Sequence, residues 1–136
     1  MALNLELLNG SFLEIAQEGE AFVETFYEKL FHELPEVRLI FPDDMESQRW
    51  KLLLSLSTII NALDNPELLG AYVAELGRRH QSYQVAPHYY EVVIKIFLEV
   101  LSQYLGPDWT PELQTAWTEA YHSVAALMVK NYQATA

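Results

Sequence analysis

The chain has 136 residues, 51% of them hydrophobic, and carries 8 basic against 19 acidic side chains for a formal charge of −11. That length suits a single domain over residues 1–136 with a real buried core, and the apolar content excludes disorder. With no cysteine, disulfides, thiolate metal sites and thiol catalysis are excluded, and so acidic a surface argues against nucleic acid as a partner.

Nearly every segment reads as helix, punctuated by Gly19, Pro35, Pro42, Asn65-Pro66, Ala86-Pro87, Gly106-Pro107 and Thr110-Pro111. The expected helical pieces run over about 3–17, 20–33, 35–40, 44–63, 66–80, 87–105 and 110–132. The start, Met1-Ala2-Leu3-Asn4-Leu5-Glu6, lacks the basic residues and long apolar stretch of a signal peptide. No apolar run is long enough to span a bilayer. A cytoplasmic protein with no membrane partner is expected.

The second helix carries an apolar stripe of Phe22, Phe26 and Leu30, with Tyr27 and Phe31 beside it. A short third helix starts at Pro35, and Phe41-Pro42-Asp43-Asp44 reads as an irregular corner. The fourth helix presents Leu52, Leu53, Leu56, Ile59, Ile60 and Leu63, and Gln48 lies one turn before Leu52 on that face. In the fifth, Leu69, Tyr72, Val73 and Leu76 form a stripe whose next place is His80, because residues four apart share a face. The sixth repeats Tyr90, Val93, Ile94, Phe97, Leu98 and Leu101, and the last Leu113, Trp117, Tyr121, Val124 and Met128. No segment alternates as a strand would, so the fold class is all-α.

Polar groups on apolar faces mark the candidate chemistry. Taken singly, His80 reads as a hydrogen-bonded core histidine or as a ligand. Gln48 reads as a surface residue or a pocket donor, and Tyr27 and Tyr90 as half-buried phenols or functional ones. Other chemistries have no support. There is no Gly-rich phosphate loop, no His-Glu-x-x-His and no strained nucleophile turn. Asp43, Asp44 and Glu46 read as helix-start residues, and His32, His88 and His122 as surface ones.

One arrangement joins these positions. The segment Leu76-Gly77-Arg78-Arg79-His80-Gln81-Ser82-Tyr83-Gln84-Val85, followed by His88-Tyr89-Tyr90, resembles the proximal region of bacterial single-domain globins and of the haem domain of flavohaemoglobins; neuroglobin is more distantly similar. Supporting segments are Phe26-Tyr27-Glu28-Lys29-Leu30-Phe31, Leu34-Pro35-Glu36, Ile40-Phe41-Pro42 and Ala116-Trp117-Thr118-Glu119-Ala120-Tyr121. The resemblance extends from about residue 12 to residue 130.

It implies a globin fold, a three-over-three helical sandwich around haem, without a short separate helix between the third and distal helices. It implies non-covalent haem b, and the absence of cysteine agrees by excluding thioether attachment of haem or of a bilin. His80 would be the iron's proximal ligand, its second ring nitrogen held by a carbonyl near Leu76. Phe41 and Val85 would press on the porphyrin. Leu76 and Val93 would line its proximal side, and Lys51 and Arg79 would meet the propionates. Tyr27, Gln48 and Leu52 would form the distal side, where oxygen, carbon monoxide or nitric oxide binds.

In flavohaemoglobins a tyrosine and a glutamate polarise the proximal histidine. Tyr90 matches the tyrosine, but the glutamate position falls on or near Ala134 and no carboxylate follows Glu119. The implied function is oxygen carriage or storage by a non-enzymatic protein. The alternatives are a nitric oxide dioxygenase served by an external reductase and a haem-free globin-fold interaction module. No flavin or NAD domain is expected in the chain.

Overall fold

The structure is a computed structural model and describes residues 4–83 and 88–130, except the side chain of Ser82. Among the described residues there are six α-helices: α1 (Leu5–Ala16), α2 (Gly19–Glu33), α3 (Glu46–Ala62), α4 (Pro66–Ser82), α5 (Tyr89–Leu105) and α6 (Pro111–Lys130). A 3₁₀ turn, Pro35–Ile40, follows α2, and a shorter one, Gly106–Asp108, follows α5. Among the described residues there is no strand, and no helix is long and apolar enough to cross a membrane.

The helix ends follow local chemistry. Asn4 and Asn65 each accept a backbone N–H three residues on, from Leu7 and Leu68 at 3.2 Å, and Pro66 opens α4 where its missing N–H costs nothing. Thr110 accepts the Leu113 N–H at 3.1 Å at the start of α6. Gly106 ends α5 with φ at 52°, a conformation that side-chain-bearing residues rarely adopt.

Within the described residues most boundaries lie within one residue of expectation, and two differ by two residues. α3 starts at Glu46 rather than 44, because the Asp44 carboxylate accepts the Glu46 N–H at 3.0 Å and holds a turn there. α4 runs two residues past 80, to Ser82. The expected starts of the first helix at 3 and of the sixth at 87, and the end of the last at 132, lie outside the described residues. Between Phe41 and Met45 there is no separate helix, as the resemblance implied.

The helices stack in two layers, α1, α3 and α4 over α2, α5 and α6. Neighbours touch within each layer, and α2 on α3, α1 on α6 and α4 on α6 join the layers. At the α4–α6 contact the backbones approach closely: a Cβ added to Gly77 would lie 2.5 Å from the Met128 carbonyl oxygen. The apolar interior falls into two clusters. The larger gathers Leu8, Phe22, Val23, Phe97, Val100, Leu101 and Trp117 from α1, α2, α5 and α6. The smaller gathers Val73, Leu76, Tyr90, Val124 and Met128 from α4, α5 and α6. Buried polar groups are matched: the Trp117 indole N–H donates to Ser11 Oγ at 2.9 Å, and Ser11 donates to the Leu7 carbonyl at 2.7 Å.

Candidate functional site

A cavity of about 720 Å³ is lined from both clusters. Its walls are largely apolar, and polar groups enter it at a few places, the usual make-up of a small-molecule site. Tyr27, Phe41, Gln48, Lys51, Leu52, Leu76, Arg79, His80, Tyr90 and Val93 all line it. Val85 and Ala134 lie outside the described residues.

His80 stands on the last turns of α4. Its Nδ1 is 2.7 Å from the Leu76 carbonyl oxygen, one turn back. A carbonyl only accepts, so Nδ1 carries the proton and the neutral ring keeps its lone pair on Nε2. Burial pushes the imidazole below its ordinary value, partly offset by the hydrogen bond to Leu76, and so favours that neutral form. The Tyr90 ring stacks beside it, centroids 6.1 Å apart and planes 29° apart. The Tyr90 hydroxyl donates to Met128 Sδ at 3.7 Å, and the Tyr121 hydroxyl donates to the Tyr90 backbone carbonyl at 2.9 Å.

On the α2–α3 side, the Gln48 amide Nε2 donates to the Tyr27 hydroxyl oxygen at 3.2 Å. The bond spends an acceptor site of the phenol and leaves its proton available. Tyr27 is only 6% exposed. Burial raises its phenol above the ordinary value, with the Gln48 bond opposing, so it remains a protonated donor. Phe41 packs edge-on against Tyr27 and Phe31, both at 5.5 Å, and Phe31 stacks on Tyr27 at 5.7 Å. Leu52, Ser55, Leu56 and Ile59 continue the α3 wall. Ser55 also accepts from the Tyr72 hydroxyl at 3.0 Å, a link between α3 and α4.

Lys51 and Arg79 are exposed and lie where the cavity meets solvent. Arg79 shares the Glu75 carboxylate with Arg78, at 3.3 and 2.9 Å, and Arg78 first and Arg79 second hold that carboxyl below its usual range. The remaining lining residues, among them Phe97, Tyr121, Val124 and Met128, gave no sign of a site in the sequence. They are ordinary members of apolar stripes. Only the packing of α5 and α6 turns those stripes toward the cavity.

A two-layer helical sandwich enclosing an apolar cavity, with one imidazole on α4 and a tyrosine–glutamine pair on α2 and α3, is the arrangement the sequence resemblance implied. The Globin family model matches residues 24–128, and the chain belongs to the globin family. Among curated relatives, the flavohemoprotein of Deinococcus radiodurans is 33% identical over 114 residues, 82% of this chain and 28% of the relative. That of Bacillus subtilis is 27% identical over 124 residues, 89% and 31%. The chain thus spans under a third of these relatives' length. An engineered carbene transferase from Rhodothermus marinus superposes with a TM-score of 0.82 at 29% identity, covering 93% of this chain and 88% of that one. A bacterial globin from Campylobacter jejuni shares the fold with a TM-score of 0.81 at 20% identity, covering 93% and 92%.

Proposed function

We propose that residues 1–136 form one domain that holds haem b without covalent attachment and reversibly binds oxygen and other diatomic gases. The observation that carries this is the polar set around one apolar cavity: His80, its Nδ1 committed to Leu76, with the bonded pair Gln48 and Tyr27 on another wall. Among the described residues no three metal-ligating side chains converge. A lone imidazole fits a metal that brings its other ligands with it, as a porphyrin iron does. When bound, the haem would supply the iron to which the gas binds.

The chain's own groups then divide the work. His80 offers Nε2, and the Leu76 carbonyl fixes its tautomer and orientation. Tyr27 holds a hydroxyl proton for a partly negative ligand, and Gln48 positions that hydroxyl. Phe41 and Leu52 exclude water on one side, and Leu76 and Val93 on the other. Lys51 and Arg79 at the rim suit the propionate charges. A haem-free interaction module would have little reason to turn an imidazole, an amide and a phenol into one apolar cavity, where polar groups are costly.

The second reading is a nitric oxide dioxygenase drawing electrons from a reductase. It is favoured by the flavohemoprotein relatives and by the Rhodothermus marinus neighbour, whose description names a nitric oxide dioxygenase. Nitrate formation from nitric oxide at a rate set by re-reduction would select it over carriage.

The first reading is tested by titrating the protein with haem and recording ferric, ferrous, carbon monoxide and oxygen spectra of the wild type and His80→Ala. One haem per chain, a stable oxygen spectrum and lost specific ligation in the variant are expected. No stoichiometric uptake, or identical spectra from the variant, overturns it.

A further inference from the structure

The corner between the 3₁₀ turn and α3 has no helical ladder to hold it. Phe41 is extended, at φ −105° and ψ 155°, and Pro42 has no N–H to donate. Yet this corner carries Phe41 into the cavity wall, against Tyr27. The Arg38 guanidinium sits over it. Nη1 donates to the Phe41 carbonyl at 3.3 Å and to the Pro42 carbonyl at 2.9 Å, and Nη2 donates to the Asp43 carbonyl at 3.0 Å. The Phe41 N–H returns a bond to the Arg38 carbonyl at 3.2 Å. The guanidinium carbon also lies 5.2 Å from the centre of the Phe31 ring, the ring that stacks on Tyr27.

Among the described residues no carboxylate pairs with Arg38, although the chain has 19 acids. A cation that turns from carboxylates to three successive main-chain carbonyls is spent on holding a loop. Lysine could not replace it: one ammonium on a flexible stem lacks the planar fork that reaches three carbonyls and lies over a ring.

We propose that Arg38 is the positioning residue of the wall that faces the ligand: it sets Phe41 directly and the Tyr27 hydroxyl through the Phe31 and Phe41 rings. This rests on the haem reading above. Arg38 does not line the cavity, so it acts through the corner and the three rings.

The test compares wild type, Arg38→Met and Arg38→Lys with two readouts. The first is amide hydrogen exchange across residues 41–46 in the haem-free protein. The second, in the haem-loaded protein, is the rate of haem loss together with the carbon–oxygen stretching frequency of the carbon monoxide complex, which senses where the Tyr27 and Gln48 dipoles sit. Arg38→Met should speed corner exchange and haem loss each by about tenfold, equivalent to about 1.4 kcal/mol, and should shift the stretch. Exchange in α5 and α6 should be unchanged. Arg38→Lys should recover only part of each effect.

Folded variants with wild-type haem loss and stretch would overturn the proposal, and so would full rescue by lysine. Exchange that rises equally in all helices would also overturn it, since Arg38 would then be a general stability contact. Failure of the wild type to take up haem would sink the haem reading instead. The corner exchange, read without haem, separates that result from failure of the Arg38 anchor.

Discussion

Tyr27→Phe removes one oxygen atom from the cavity wall and leaves the ring in its contacts with Phe31 and Phe41. Two hydrogen-bonding roles go with it: the acceptor of the Gln48 amide, bonded at 3.2 Å, and, on the proposed reading, the hydroxyl proton offered to the bound gas. A hydrogen bond to a charged group contributes roughly 1.5–3 kcal/mol, which is about 10- to 150-fold in affinity. The lower end applies here, because Gln48 is released by the same change and can swing its amide into the vacated direction. Oxygen release, followed by stopped-flow mixing with excess carbon monoxide, should therefore quicken about tenfold in Tyr27→Phe. It should quicken further in Tyr27→Phe combined with Gln48→Leu, by more than the product of the two single effects, as expected for residues that substitute for each other. The fold itself should lose little, about 0.5–1.5 kcal/mol, since the amide left behind is half-exposed and can find water. Unchanged release in the single variant, with the protein folded and haem bound, would refute the donor role of Tyr27.

Three further outcomes are expected. His80→Ala should keep a folded, haem-accessible cavity yet lose the proximal signature in the ferrous spectrum, and added imidazole should restore part of it. Gly77→Ala should cost about 1–3 kcal/mol in denaturant unfolding, because the new methyl meets the Met128 main chain, which no rotamer change can relieve. That loss outweighs the gain of about 1 kcal/mol that alanine brings to an ordinary helix position. In the haem-free protein, stability should fall as pH drops through the ordinary histidine value of 6.5. The folded His80 is held below that value by burial, so the unfolded chain takes up its proton first and gains by it. The loss should level off once pH is below the folded value. His80→Gln should lack this part of the acid sensitivity, and a pH series of denaturant midpoints decides it.

Much of the molecule was legible in the chain because helices are local. Four-residue spacing puts His80 on the stripe of Leu76 and Gln48 on that of Leu52, and the same spacing names the Leu76 carbonyl as the acceptor for His80. The turn and capping residues placed the helix starts to within two residues, and the two-residue delay at α3 arises because the Asp44 side chain takes the first turn for itself. The order and spacing of several motifs then pointed to the family, which a single inward histidine could not do.

What stayed hidden depends on contacts between residues far apart in sequence. The Gln48–Tyr27 bond joins residues 21 apart, and the Tyr90–Met128 contact residues 38 apart. Arg38 drew no notice in the sequence, because nothing local shows that three carbonyls of the next corner would gather beneath it. Nothing in the sequence marks Gly77 as structural, whereas the approach of the α6 backbone requires it. Periodicity states which face of each helix is apolar. Which faces close on each other, and which stand apart to leave a cavity, is decided only when α3 and α4 pack over α2, α5 and α6.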